Sequence, residues 1–111
     1  MVITQVRVRK LKDNETKLKG LAGITLDEMF AIHDIKLLES DQRFLAMPSR
    51  ALKANTFCDI VHPINAQVRE LLERLLFAAY DRCEDYVKWK LKEGCDKPLF
   101  ELTIDDYEVF E

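Results

Sequence analysis

Between Phe44 and Asn65 the chain changes its hydrophobic period, and that change limits the folds open to it. Upstream, Val6 and Val8 alternate with Arg7 and Arg9, as in a strand with one buried face. Downstream, Val68, Leu71, Leu72, Leu75, Ala78 and Tyr80 recur mostly at i, i+3, i+4, i+7 spacing, which gathers them on one face of a helix. The segment between ends a strand at Met47-Pro48 and crosses a polar run bearing Arg50 and Lys53. It reaches His62-Pro63-Ile64-Asn65, where Asn65 is a natural N-cap.

The upstream half divides into strands at about Val2–Leu11, Lys17–Leu26, Met29–Glu39 and Arg43–Met47. Turn residues separate them at Asp13–Thr16, Asp27-Glu28 and Ser40–Gln42. Turns this short cannot hold parallel crossovers, so the strands form an antiparallel meander. The third strand is nearly continuous in apolar residues, which predicts a central position. Gly20 and Gly23 predict a bulge or a close backbone approach in the second. Ser49–Thr56 has no period and reads as a loop; Phe57–Val61 reads as a further short strand before Pro63. The expected fold class is α+β: an antiparallel β-meander of four to five strands followed by a long C-terminal α-helix.

The helical pattern extends through Tyr86, Val87 and Leu91 to Gly94, a good C′ residue. A helix of that extent is ~40 Å long, against ~26 Å for an eight-residue strand. Its overhang would carry Tyr86, Val87, Trp89 and Leu91, and a second subunit is the simplest cover for them. The alternative is a break near Glu84-Asp85 with a second helix folding back. Phe100, Leu102 and Ile104 give a weak strand signal in an otherwise acidic, tail-like end. The chain is thus expected to comprise a domain at 1–83 and an extension at 84–111, the latter available for a further protein partner.

Length fits one domain with a modest core. No apolar run reaches the ~20 residues of a membrane span, and the N-terminus lacks a signal-peptide layout; the expected location is cytoplasmic. Cys58, Cys83 and Cys95 are odd in number and form no CxxC pair, so free thiols are expected and neither a metal site nor a cofactor is indicated. The net charge of −3 is uneven. Residues 1–63 carry +2 and residues 64–83 are neutral, whereas residues 84–111 carry −5. Polyanions could therefore engage only a local basic patch.

Motifs for nucleotide phosphates, serine hydrolysis and zinc hydrolysis are missing from the sequence. His33 and Asp34 are adjacent in a strand and are expected on opposite faces. His62, Asp59 and Cys58 could form a thiol nucleophile and base, but the bland reading is that His62 and Asp59 fix the turn into the helix. No enzyme is expected. The basic residues remain: Arg50, Lys53 and Arg69 near the start of the helix, then Arg7 and Arg9 on the first strand. Long cations beside helix-terminal amides suit phosphate.

ITQVRVRK at 3–10, AGITLDEMFAIHDIKL at 22–37, FLAMPSR at 44–50 and DIVHPIN at 59–65, continued by Arg69, Tyr80 and Arg82, resemble the stage V sporulation protein G (SpoVG, septation protein) family. The resemblance covers about residues 1–83. It implies a sheet with a C-terminal helix that forms a homodimer through the sheet. It also implies a cytoplasmic bacterial regulator that binds DNA or RNA and is linked to sporulation and septation, with no catalytic activity. The family's pattern places further basic residues where this chain has Ala51, Cys58 and Leu71; Lys53 partly compensates. The alternative is a protein-interaction module that binds no nucleic acid.

Overall fold

The computed structural model describes residues 1–12 and 16–111; of the turn expected at Asp13–Thr16, residues 13–15 lie outside the described residues. Six strands make one antiparallel sheet: β1 (Ile3–Lys10), β2 (Leu18–Leu26), β3 (Phe30–Glu39), β4 (Arg43–Ala46), β7 (Tyr86–Leu91) and β8 (Tyr107–Phe110), in the order β4-β3-β2-β1-β7-β8. One helix, α1 (Ala66–Asp81), packs on one face. β5 (Ser49–Ala51) and β6 (Phe57–Asp59) form a separate two-stranded ribbon. The fold is α+β, an antiparallel sheet with a single α-helix, as the change of period predicts.

Alternation decides which side chains meet the helix. Ile3, Val6 and Val8 of β1, Ala22 and Ile24 of β2, and Ile35 and Leu37 of β3 are buried with Leu71, Leu72, Leu75, Leu76 and Ala79 of α1. Each large aliphatic side chain so buried contributes roughly 1.5–3 kcal/mol. Asn65 caps α1 as expected, its side chain accepting from the Val68 N–H at 2.9 Å. Gly20 is a close approach: a Cβ there would lie 2.9 Å from the Arg9 carbonyl and 3.3 Å from the Tyr80 ring.

Four expectations need correction. The helix stops at Asp81, where the Arg82 N–H bonds back to the Ala78 and Ala79 carbonyls. The break near Glu84-Asp85 leads into a strand, not a second helix. Val87, Trp89 and Leu91 alternate with Lys88 and Lys90, and the free edge of β1 supplies hydrogen-bond partners from Arg9↔Tyr86 to Gln5↔Lys90. Gly94, at φ 79°, serves the turn after β7 rather than a helix end. Tyr86, Val87, Trp89 and Leu91 therefore lie within the sheet, and no helical overhang asks for a second subunit.

The C-terminal segment is neither a solvated tail nor a strand at 100–104. Two 3₁₀ turns, Leu99–Glu101 and Ile104–Asp106, precede β8. Leu102, Ile104 and Tyr107 are buried. Arg74 of α1 donates to the Phe100 and Leu102 carbonyls, both at 3.0 Å, and the Tyr107 hydroxyl donates to the Ile3 carbonyl at 2.6 Å.

The third strand is not central. β2 and β1 occupy the middle of the sheet, and the apolar run of β3 is long because Ala31 and Leu38 fall on the uncovered face while Phe30, in phase with Ile32, is left exposed at the strand's start. Finally, Ser49–Thr56 is not simply a loop. Ser49–Ala51 pairs with Phe57–Asp59 across a turn in which Ala54 and Asn55 have φ 59° and 60°. Every residue from Ser49 to Ile60 is exposed, so neither side of the ribbon acquires the burial alternation by which strands are read.

Candidate nucleic-acid interface

The helix covers one sheet face and leaves the other open. Arg7 and Arg9 stand on that open face, because Val6 and Val8 take the inner one. Arg7 is held across β2: its guanidinium donates to Thr25 Oγ1 at 2.8 Å, to Gln5 Oε1 at 3.3 Å and to the Ile24 carbonyl at 3.3 Å. All three acceptors are neutral. The Arg9 guanidinium lies 4.5 Å from the centroid of the Tyr86 ring. The two arginines line an open groove of about 240 Å³ with Gly23, His33, Asp34 and Tyr86.

His33 and Asp34 share this groove, against the expectation from simple alternation. Ala22 pairs with Ile35 and Ile24 with Ile32, so Gly23 stands opposite two residues. The extra residue is a β-bulge, and Asp34 takes φ 62° within it. Ile32 and Ile35 both turn toward the core, which leaves the two residues between them outside.

Arg50 lies on β5 opposite Cys58, and Lys53 lies in the turn, where its carbonyl accepts from Thr56 Oγ1 at 2.6 Å. Arg69 is half-buried on α1, whose first turn holds no acidic residue. Among the described residues, no carboxylate lies within ion-pair distance of Arg50, Lys53, Arg69, Arg7 or Arg9. The fold thus brings Arg7 and Arg9 together in the groove and Arg50 and Lys53 together on the ribbon. Arg69, on the helix, stands across the sheet from Arg7 and Arg9.

Four other cations are paired with carboxylates. Arg43 bonds Asp81 through two nitrogens at 2.8 and 2.9 Å, which holds the Asp81 carboxyl below its ordinary range and raises Arg43. Arg82 meets Asp105, Lys90 meets Glu108, and Lys97 meets Asp106. The thiol constellation does not assemble: the His62 Nδ1–H donates to the Pro63 carbonyl at 2.9 Å and the Cys58 thiol to the Asp59 carbonyl. His62 therefore braces the entrance to the helix. Cys58, Cys83 and Cys95 are free, and burial raises the pKa of Cys83.

Sequence reasoning missed Tyr86 and Lys88 on the open face. The signal was present: YVKWKL at 86–91 alternates strictly. Among the described residues, no helix is long and apolar enough to cross a membrane.

The SpoVG family model matches residues 1–82. A protein of Clostridioides difficile (strain 630) named "Putative septation protein SpoVG" is 47% identical over 92 residues, 82% of this chain and 97% of the relative. Its namesake in Lachnospira eligens is 44% identical over 85 residues, 76% of this chain and 96% of the relative. That of Anaeromyxobacter dehalogenans (strain 2CP-C) is 41% identical over 109 residues. This last match spans 97% of the chain and 99% of the relative, so it runs through the C-terminal strands that the family model does not reach. A sheet built from the ITQVRVRK and AIHDIKL strands, entered by a helix at HPIN, is the fold of a chain that belongs to the SpoVG family.

Proposed function

We propose that this chain is a nucleic-acid-binding regulatory protein of the SpoVG type, acting on DNA or RNA in septation and the control of gene expression. The observation that carries the reading is that the cations of the open sheet face and the ribbon are not among those paired with carboxylates. Arg43, Arg82, Lys90 and Lys97 are matched by carboxylates, whereas Arg7, Arg9, Arg50 and Lys53 face solvent or neutral partners. Unmatched cations on exposed surfaces are what phosphate recognition requires. The acidity of residues 84–111 opposes this only slightly less than its −5 suggests, because Asp105 is engaged by Arg82, a cation from outside the segment. Binding would be dominated by phosphate contacts with modest sequence preference.

The test is fluorescence anisotropy with labelled duplexes at several salt concentrations. A variant that no longer grips one phosphate should show a salt slope shallower by ~0.9 on duplex DNA. Arg50→Ala with Lys53→Ala, and separately Arg7→Ala with Arg9→Ala, should each weaken binding and flatten that slope. Salt-insensitive binding, or none, would overturn the reading.

A second reading, a protein-interaction module, is favoured by exposed apolar residues. Met29, Phe30, Phe57, Ile60 and Ile64 are all more than 65% exposed. A second copy of the chain is the partner proposed for them, giving a homodimer. Sedimentation of Phe30→Ser and Ile60→Ser variants tests it; an association state equal to wild type would reject it.

A further inference from the structure

The groove on the open face has features that phosphate attraction alone does not need. Its floor is Gly23, where a Cβ would lie 3.1 Å from the Arg7 guanidinium. Its walls carry a cation stacked on an aromatic ring and, across from them, a carboxylate and an imidazole. The bulge that turns Asp34 into it holds a non-glycine residue at φ 62°, a conformation with a cost that concentrates at functional positions. At about 240 Å³ the space falls below the roughly 300–1,000 Å³ of sites for larger ligands. It suits one planar ring.

We infer that this groove takes one unpaired nucleotide of a single-stranded nucleic acid, its base stacked on the Arg9–Tyr86 pair and its amine edge turned to the Asp34 carboxylate. The inference rests on the nucleic-acid reading above and narrows its ligand. Guanidinium planes and aromatic rings stack unpaired bases, whereas a duplex hides its base faces. A carboxylate accepts readily from the exocyclic cytosine amine, whereas thymine and uracil offer it only an N3–H flanked by two carbonyls that repel it. Arg7, fixed by neutral partners beside the stack, keeps its charge for the phosphate. Tyr86 comes from β7, so the C-terminal strands supply part of the site.

The experiment measures anisotropy of short labelled oligo(dC), oligo(dT), oligo(C) and oligo(U), with a mixed-sequence duplex as a parallel arm. The DNA and RNA strands distinguish the sugar. Wild type should bind the cytosine strands more tightly than their thymine or uracil counterparts. Tyr86→Leu should weaken all single strands by about fivefold or more. Asp34→Asn should erase the preference for cytosine while the chain stays folded, since asparagine tolerates positive φ. Single strands that bind no better than the duplex and ignore Tyr86→Leu would overturn the groove assignment yet leave the proposed function standing; loss of duplex binding as well would remove both. A Tyr86→Leu variant that alters only the association state of the free protein would make the groove a contact between copies, and the inference would fall.

Discussion

The β5–β6 ribbon and the C-terminal segment 84–111 are both polar additions to a four-stranded meander, and the fold treats them oppositely. Every residue of the ribbon from Ser49 to Ile60 is exposed. The C-terminal segment, though far more acidic, places Trp89, Leu102, Ile104 and Tyr107 in the core. Its few apolar residues fall where β1 and α1 have uncovered surface, while its charges stay outside. Average polarity therefore says little about whether a segment is structural. What decides is whether its apolar residues can reach an unfilled edge or face.

The strongest way to break this comparison is deletion. Removing residues 84–111 uncovers the β1 edge and takes four buried side chains from the core. At roughly 1.5–3 kcal/mol each, their sum rivals the ~5–15 kcal/mol stability of a whole domain. The truncated chain is expected to lose its cooperative unfolding transition in circular dichroism. Replacing the ribbon residues between Arg50 and Cys58 by a short glycine link should move the midpoint only slightly. A truncated chain that unfolds like the full one would mean the segment is an accessory after all.

Single substitutions sharpen the same contrast. Leu102, 1% exposed, should cost about 2–5 kcal/mol as alanine, because it leaves a cavity beside α1. Phe57, 69% exposed, should cost less than ~0.5 kcal/mol. Urea denaturation of the two variants measures both. Equal costs would show that the ribbon is packed against something in solution, for which a second copy is the partner proposed above.

How much of this was legible follows from the same physics. Strands β1 to β4 and the start of α1 could be read because local pattern and final burial agree: Val6 and Val8 point inward, and Asn65 caps. The end of α1 could not. Val87 and Leu91 are spaced i, i+4, which fits a helix as well as a strand, and neither glycine nor proline marks the break. Only Trp89, in phase with both as a strand, discriminates, and the deciding force is the unpaired edge of β1, which is distant in sequence. The arginines of the candidate site were visible as Arg7 and Arg9. The groove around them was not, because it needs the bulge at Asp34 and the ring of Tyr86 from a strand read as helix. Exposed ribbons such as β5–β6 leave no periodic trace.

The smallest expected effect concerns pH, and it separates charges that hold the fold from charges that do not. Arg43 ties β4 to α1 through Asp81 while lying 5.1 Å from the Phe77 ring centroid. Its hydrogen bond is the main cause of the lowered Asp81 pKa, with burial opposing it. A carboxyl depressed in the folded state adds stability above its ordinary value of 3.8. That stability is lost as the pH falls from there through the folded value. Asp81 is 54% exposed, so solvent screening limits the pair to about 0.5 kcal/mol. Asp81→Asn should therefore be slightly less stable than wild type at neutral pH, and the difference should vanish as the pH falls below the folded value of Asp81. Arg50 and Lys53 have no carboxylate to protonate, so their alanine variants should show no such acid-dependent difference. If the Asp81→Asn deficit instead persists in acid, Asp81 holds Arg43 by hydrogen-bond geometry rather than charge, and the division between matched and unmatched cations loses its energetic basis.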